Sequence, residues 1–175
     1  MNKIITVLLT IAVSSALFAC SSTSEVPEGD RLYTGLEPIK YTDYESNEHF
    51  TATQEEIEAA LDCPPNGAIF GSSYYRSPFP YSLWIWNAFH ESESPISKWV
   101  TKTFGNQPVL MSWVNPALRA SVAQSQLHNH GYFRGTVNYE EKPYSKHPKA
   151  KIAYHVDCGH LFTIDTVTYS NFPLN

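Results

Sequence analysis

The chain has 175 residues, with 12 lysines and arginines against 17 aspartates and glutamates, for a formal net charge of −5. That length supports one domain with a sizeable core, or one domain and a fragment of another. The mild acidity and the lack of any long charged block argue against a nucleic acid partner, and three cysteines are too few for a disulfide framework.

In chain order, Lys3 is followed by the apolar run IITVLLTIAVSSALFA and then by Cys20. A short basic start, roughly 15 apolar residues and small residues at the end describe a secretory signal peptide over residues 1–19, too short for a spanning helix. The tetrapeptide LFAC resembles a bacterial lipobox, in which cleavage leaves Cys20 as an acylated N-terminus; the other reading is an ordinary signal peptide that contains a cysteine. Acyl chains on Cys20 would anchor the protein to a lipid bilayer, each buried methylene contributing about 0.8 kcal/mol. Residues 20–30 are small and polar, with Pro27 and Gly29, and read as a lipidated flexible tether.

From Arg31 to Tyr44 the residues favour a strand, but Gly35 and Pro38 interrupt it and reduce it to a short or edge strand. Thr53 and Glu56 form a capping box, and Ile57, Ala60 and Leu61 then share one face of a helix of about three turns, which stops at CPPNG. The stretch from Ile69 to Val114 holds all four tryptophans, Trp84, Trp86, Trp99 and Trp113. Pro80 starts one helix, YSLWIWNAF, and Pro95 another, ISKWVTKTF. These aromatics read as a thickened core; the other reading sets Trp84, Trp86 and Trp99 at a membrane surface, where tryptophan is favoured.

Asn115 and Pro116 cap and start a further helix with Ala120, Val122, Ala123 and Leu127 on its apolar face, and Gly131 suits the left-handed residue past its end. Two runs of period two follow, one through Val137 and Tyr139 and one through Ile152, Tyr154 and Val156, separated by the basic loop KPYSKHPK. A third strand-like run, LFTIDTVTYSNF, begins at Leu161.

No constellation for catalysis emerges. His128 and His130 lie roughly 200° apart on a helix and cannot face one metal ion. A set with Cys158 and His160 would need a turn to bring it together, and helix-end histidines are favoured by the dipole alone. Adjacent Glu140 and Glu141 point to opposite faces of a strand, and there is neither a nucleophile elbow nor a phosphate-binding loop. The expectation is therefore a chain that is not an enzyme, with no metal and no cofactor. Whether Cys63 and Cys158 form a disulfide stays open.

LHNHGYFRGTVNYEE, followed by AKIAYHVDCGHLFTIDTVTYS, resembles a POTRA module of the BamA/TamA outer-membrane assembly family. The lipobox-like start, VPEGDRLYTGLEPIKY and PPNGAIFGSSYYRSPFPYSLWIWNAF are more similar to the TamL-like lipoproteins of Bacteroidetes. The resemblance implies an α+β fold: a POTRA-like β-α-α-β-β domain over residues 31–159 with an aromatic-rich helical insert at about 69–114, and the start of a second POTRA over residues 160–175. Family members continue into a membrane β-barrel, so the chain is expected to be a truncated form or a fragment of such a protein.

The resemblance also implies a lipid-anchored outer-membrane protein whose POTRA region faces the periplasm. It would receive unfolded outer-membrane protein clients by strand addition at a sheet edge, together with a TamB-like inner-membrane translocation partner. Two edges are available, the interrupted first strand and the strand from Phe133 to Glu140, with Arg134, Thr136 and Asn138 as contact residues. A rival from another class is a surface glycan-binding lipoprotein, with Trp84, Trp86 and Tyr74 or Tyr75 as stacking platforms.

Overall fold

The computed structural model describes residues 21–168; the signal peptide expected over residues 1–19, Cys20 and the end of the run from Leu161 lie outside the described residues. Two short strands come first, β1 (Leu32–Leu36) and β2 (Lys40–Thr42), then helix α1 (Glu48–Leu61). Helices α2 (Tyr81–Phe89), α3 (Pro95–Phe104) and α4 (Met111–Val114) precede the long helix α5 (Pro116–Asn129), and a hairpin of β3 (Thr136–Pro143) and β4 (Lys149–Asp157) follows. The architecture is mixed α+β, an open sheet with several helices.

The sheet is built around β4. β3 pairs with it antiparallel, from Thr136 opposite Asp157 to Pro143 opposite Ala150. On the other side β1 and β2 run parallel to β4 in succession, β1 beside Lys149 to Ile152 and β2 beside His155 to Asp157. They are two pieces of the strand expected over Arg31–Tyr44, and Pro38, which has no N–H to give a ladder, falls between them. The register also shifts within β1, at Gly35. Its φ is 115°, and a Cβ there would stand 2.6 Å from the Ser73 carbonyl oxygen. Glycine permits both that backbone and the close approach of the Ser73 loop.

Period two in β4 buries Ala150, Ile152, Tyr154 and Val156 against Phe50, Ile57 and Leu61 of α1 and Ala120, Ala123 and Leu127 of α5. Each of the larger side chains contributes about 1.5–3 kcal/mol by leaving water. Val122 is exposed: it lies two residues from Ala120, so the helix turns it to the opposite side. The buried Tyr33 and Tyr154 hydroxyls have no hydrogen-bond partner among the described residues. Burial pushes the Tyr154 phenol up to about 12 and raises that of Tyr33 further.

Helices α2, α3 and α5 start where the prolines place them, and the Asn115 side chain accepts from the Leu118 N–H at 3.2 Å. Helix α1 begins earlier than the Thr53 capping box predicts. Asn47 is the cap, accepting from the Phe50 N–H at 2.8 Å, while Thr53 lies inside the helix and donates its hydroxyl to the His49 carbonyl at 2.8 Å. A threonine that bonds back one turn no longer competes for the start, and the earlier cap brings Phe50 into the core. Gly131 follows α5 with φ 88°, as its place past the helix end predicts.

Three further expectations meet the structure here. Residues 21–30 lie against the domain: Ser22 is buried and accepts from Lys149 Nζ at 2.8 Å, and Asp30 accepts from the Ser112 hydroxyl. Cys63 and Cys158 are free thiols, so the disulfide reading is set aside. Residues 161–168 form no strand among the described residues; the Phe162 N–H instead donates to the Gly131 carbonyl at 3.0 Å and its ring meets Phe133.

Candidate functional site at an open sheet edge

The two rims of the sheet differ, and backbone parity shows how. Even-numbered residues of β4 face β1 and β2: the Leu32 N–H donates to Pro148, the Glu37 N–H to Ile152, and the Cys158 N–H to Thr42. Odd-numbered residues therefore face β3, and the register pairs them with Thr136, Asn138, Glu140 and Lys142. The outward set on β3 is consequently Val137, Tyr139, Glu141 and Pro143.

Side chains of α5 take up the first outward groups. The Val137 N–H donates to Gln124 Oε1 at 3.5 Å, and His128 Nε2–H donates to the Gly135 carbonyl at 3.3 Å. Beyond them, the outward backbone groups of Tyr139 and Glu141 have no partner among the described residues. Pro143 ends the strand on the same rim, where its missing N–H leaves the ladder to β4 undisturbed. Between this rim and α5 runs a shallow groove lined by Ser121, Gln124 and Ser125 on one side and by Val137 and Tyr139 on the other. Small side chains on the helix leave room for a further backbone at the strand spacing of about 4.8 Å.

The opposite rim is closed. The Tyr33 N–H donates to Val109, the Met111 N–H to Arg31 and the Leu36 N–H to Ser73, each at 2.8 Å. The donors and acceptors come from the aromatic-rich segment, so that segment covers β1. Asn66 holds it there: its amide donates to the Gln107 carbonyl at 2.7 Å and its oxygen accepts from the Val109 N–H at 2.6 Å. Sequence reasoning took Asn66 only as a turn residue and missed this role, which needs the long-range register to be seen. β2 offers a rim of three residues, too short to hold a partner alone.

The contact residues expected on the rim fall in three places. Thr136 and Asn138 are exposed on β3, but they belong to the set whose backbone is already paired with β4, so only their side chains are free. Arg134 precedes the strand and lays its guanidinium over the Phe162 ring, 5.7 Å from the centroid. The backbone able to accept a strand is that of their neighbours Tyr139 and Glu141.

The histidines do not converge. His128 is on the Gly135 carbonyl, His130 lies 3.1 Å from Glu56 and also faces His49, and His160 meets the edge of Phe162. Cys158 is buried, and burial raises its thiol to about 11. Among the described residues one other group of ligating side chains comes together, Glu25, His90 and Glu91. His90 donates Nδ1–H to the Trp86 carbonyl at 3.0 Å and turns Nε2 to Glu25 at 3.3 Å, which ties the first described residues to the end of α2.

The aromatic segment divides. Leu83 is buried, Trp84 is half-buried against Phe79 and Tyr81, and Trp86 stacks on His90 at 5.4 Å. Tyr74 packs against the core. Trp99 and Trp113, by contrast, are exposed, so a thickened core accounts for only part of the segment. No family model, curated protein or solved structure matches this chain.

Proposed function

We propose that the chain is the POTRA-like, non-catalytic periplasmic region of an outer-membrane lipoprotein, anchored through acylated Cys20, that takes part in assembling or translocating outer-membrane proteins. The observation that carries this reading is the β3 rim, where the outward backbone groups of Tyr139 and Glu141 stand beside a groove while β1 is covered. An unfolded client adds there as a further strand, bound through its main chain and with little regard to its sequence. The packing supports the same reading, with α1 and α5 laid on a mixed sheet whose last strand is in the middle. A TamB-like partner would stand at the inner-membrane side. The glycan-binding alternative draws less support, since Trp86 already has His90 stacked on its ring and Tyr74 packs inward.

Capture of a urea-unfolded outer-membrane barrel precursor, set beside the same precursor already folded, tests the proposal. The unfolded form is expected to be retained and the folded form to pass through. Glu141→Pro removes one outward donor and obstructs the rim, and capture is expected to fall ~tenfold. Equal retention of the two precursor forms, or undiminished capture by Glu141→Pro, would overturn the reading.

A further inference from the structure

Helix α3 wears its apolar stripe on the outside. Ile96, Val100 and Phe104 recur every fourth residue, with Trp99 beside them, and spacing of three and four puts all of them on one face. A helix packed in the ordinary way would turn that face to the core. Here Ile96 is 75% exposed, Trp99 61% and Phe104 53%, while the residue α3 buries is Thr101. The Thr101 hydroxyl has no hydrogen-bond partner among the described residues. Polar inside and apolar outside is the reverse of what water favours, so water is the wrong solvent for this face.

Two further observations identify the missing solvent. Lys98 and Lys102 lie one turn apart on the side of the helix away from Ile96 and Val100, the polar-face position that basic residues take when a helix lies on an anionic lipid surface. The acidic Glu91 and Glu93 precede the helix, on the side its N-terminal dipole favours. Helix α2, which packs against α3, also packs against the turn Ser21–Thr23. That turn begins one residue after the candidate acylation site, and Glu25 is fixed to the end of α2 through His90. Among the described residues no helix is long and apolar enough to cross a membrane.

We propose that α3 lies in the plane of a phospholipid surface, with Ile96, Trp99 and Phe104 among the upper acyl chains and Lys98 and Lys102 at the headgroups. The position of the anchor rests on the lipoprotein reading above; the inverted face does not. Together they make a two-point attachment, acyl chains at one end of the α2–α3 pair and an apolar stripe along the other helix. The stripe alone is a weak attachment, since one short interfacial helix buries only three or four side chains.

The test uses the full chain, matured by export and brought onto vesicles of phosphatidylethanolamine and phosphatidylglycerol with and without bromine on the upper acyl carbons. Bromine is expected to quench the tryptophan emission, and Trp99→Phe to remove most of that quenching, whereas Trp86→Phe leaves it. Ile96→Ser with Trp99→Ser, both at exposed positions, is expected to leave the unfolding midpoint in place. The paired change should lower retention of the non-acylated Cys20→Ala chain on the same vesicles by about tenfold. Emission that bromine leaves unchanged, or quenching that survives Trp99→Phe, overturns the proposal and leaves the stripe to a protein partner. The mass of the extracted chain reports acylation separately: an unacylated chain whose Trp99 is still quenched sinks the anchor and upholds the stripe.

Discussion

Single residues hold the elements to one another at places where a helix would otherwise leave carbonyls bare. Arg119, near the start of α5, donates to the carbonyls of Val114 at 3.0 Å, Ala60 at 3.3 Å and Asp62 at 2.8 Å. It thereby closes the C-terminal end of α1, which has no glycine to do so. Arg119→Ala is expected to lower stability by about 1–2 kcal/mol in a urea titration, and Arg119→Lys to restore little of it, since one ammonium cannot span three acceptors. Cys158 gives a second measurable outcome. With its thiol buried and raised to about 11, it is expected to stay unlabelled by a maleimide at neutral pH until the chain unfolds, while half-buried Cys63 labels sooner. Equal labelling rates for the two would contradict the burial described for Cys158.

At the scale of elements, the parity of β3 separates neighbours that composition cannot. Glu140 faces β4 and pairs with Ala153, so Glu140→Pro removes a ladder bond and is expected to destabilise the fold by about 2 kcal/mol or more. Glu141→Pro should cost the fold far less, because the donor it removes points away from the sheet and its ion pair with Arg31 is exposed. Thermal unfolding of the two variants side by side decides the matter: similar losses would mean that the parity is misassigned. Much of this level was legible in the sequence. Pro80, Pro95 and Pro116 mark helix starts by chemistry that acts locally, and the alternation of Ile152, Tyr154 and Val156 marks the central strand. Elements fixed by distant partners were not legible. Asn47 outcompetes the Thr53 box because of what Phe50 packs against, and α4 is a single turn held by Asp30 across the chain. Alternation placed Thr136 and Asn138 on a strand, but which of two neighbours offers its backbone depends on the hydrogen bonds of β4 to its other side, which no local pattern encodes.

For the molecule as a whole, the aromatic-rich segment does two things. It covers the β1 rim with Val109–Met111, and it presents α3 outward. Asn66 is the clasp for the first of these. Asn66→Ala is expected to lower stability by about 2 kcal/mol and to quicken amide exchange at Tyr33 and Met111 well before the central strand exchanges. Exchange that rises evenly through the protein would show instead that the segment is no separate cover.

Because β1 is roofed over while β3 is open at Tyr139 and Glu141, copies of this protein that meet rim to rim through the described residues do so as a twofold pair, each consuming the other's vacancy. Growth stops there, since among the described residues a dimer so joined has no second long rim to offer a third copy. A bare strand edge thus carries its own limit against becoming the seed of a fibre.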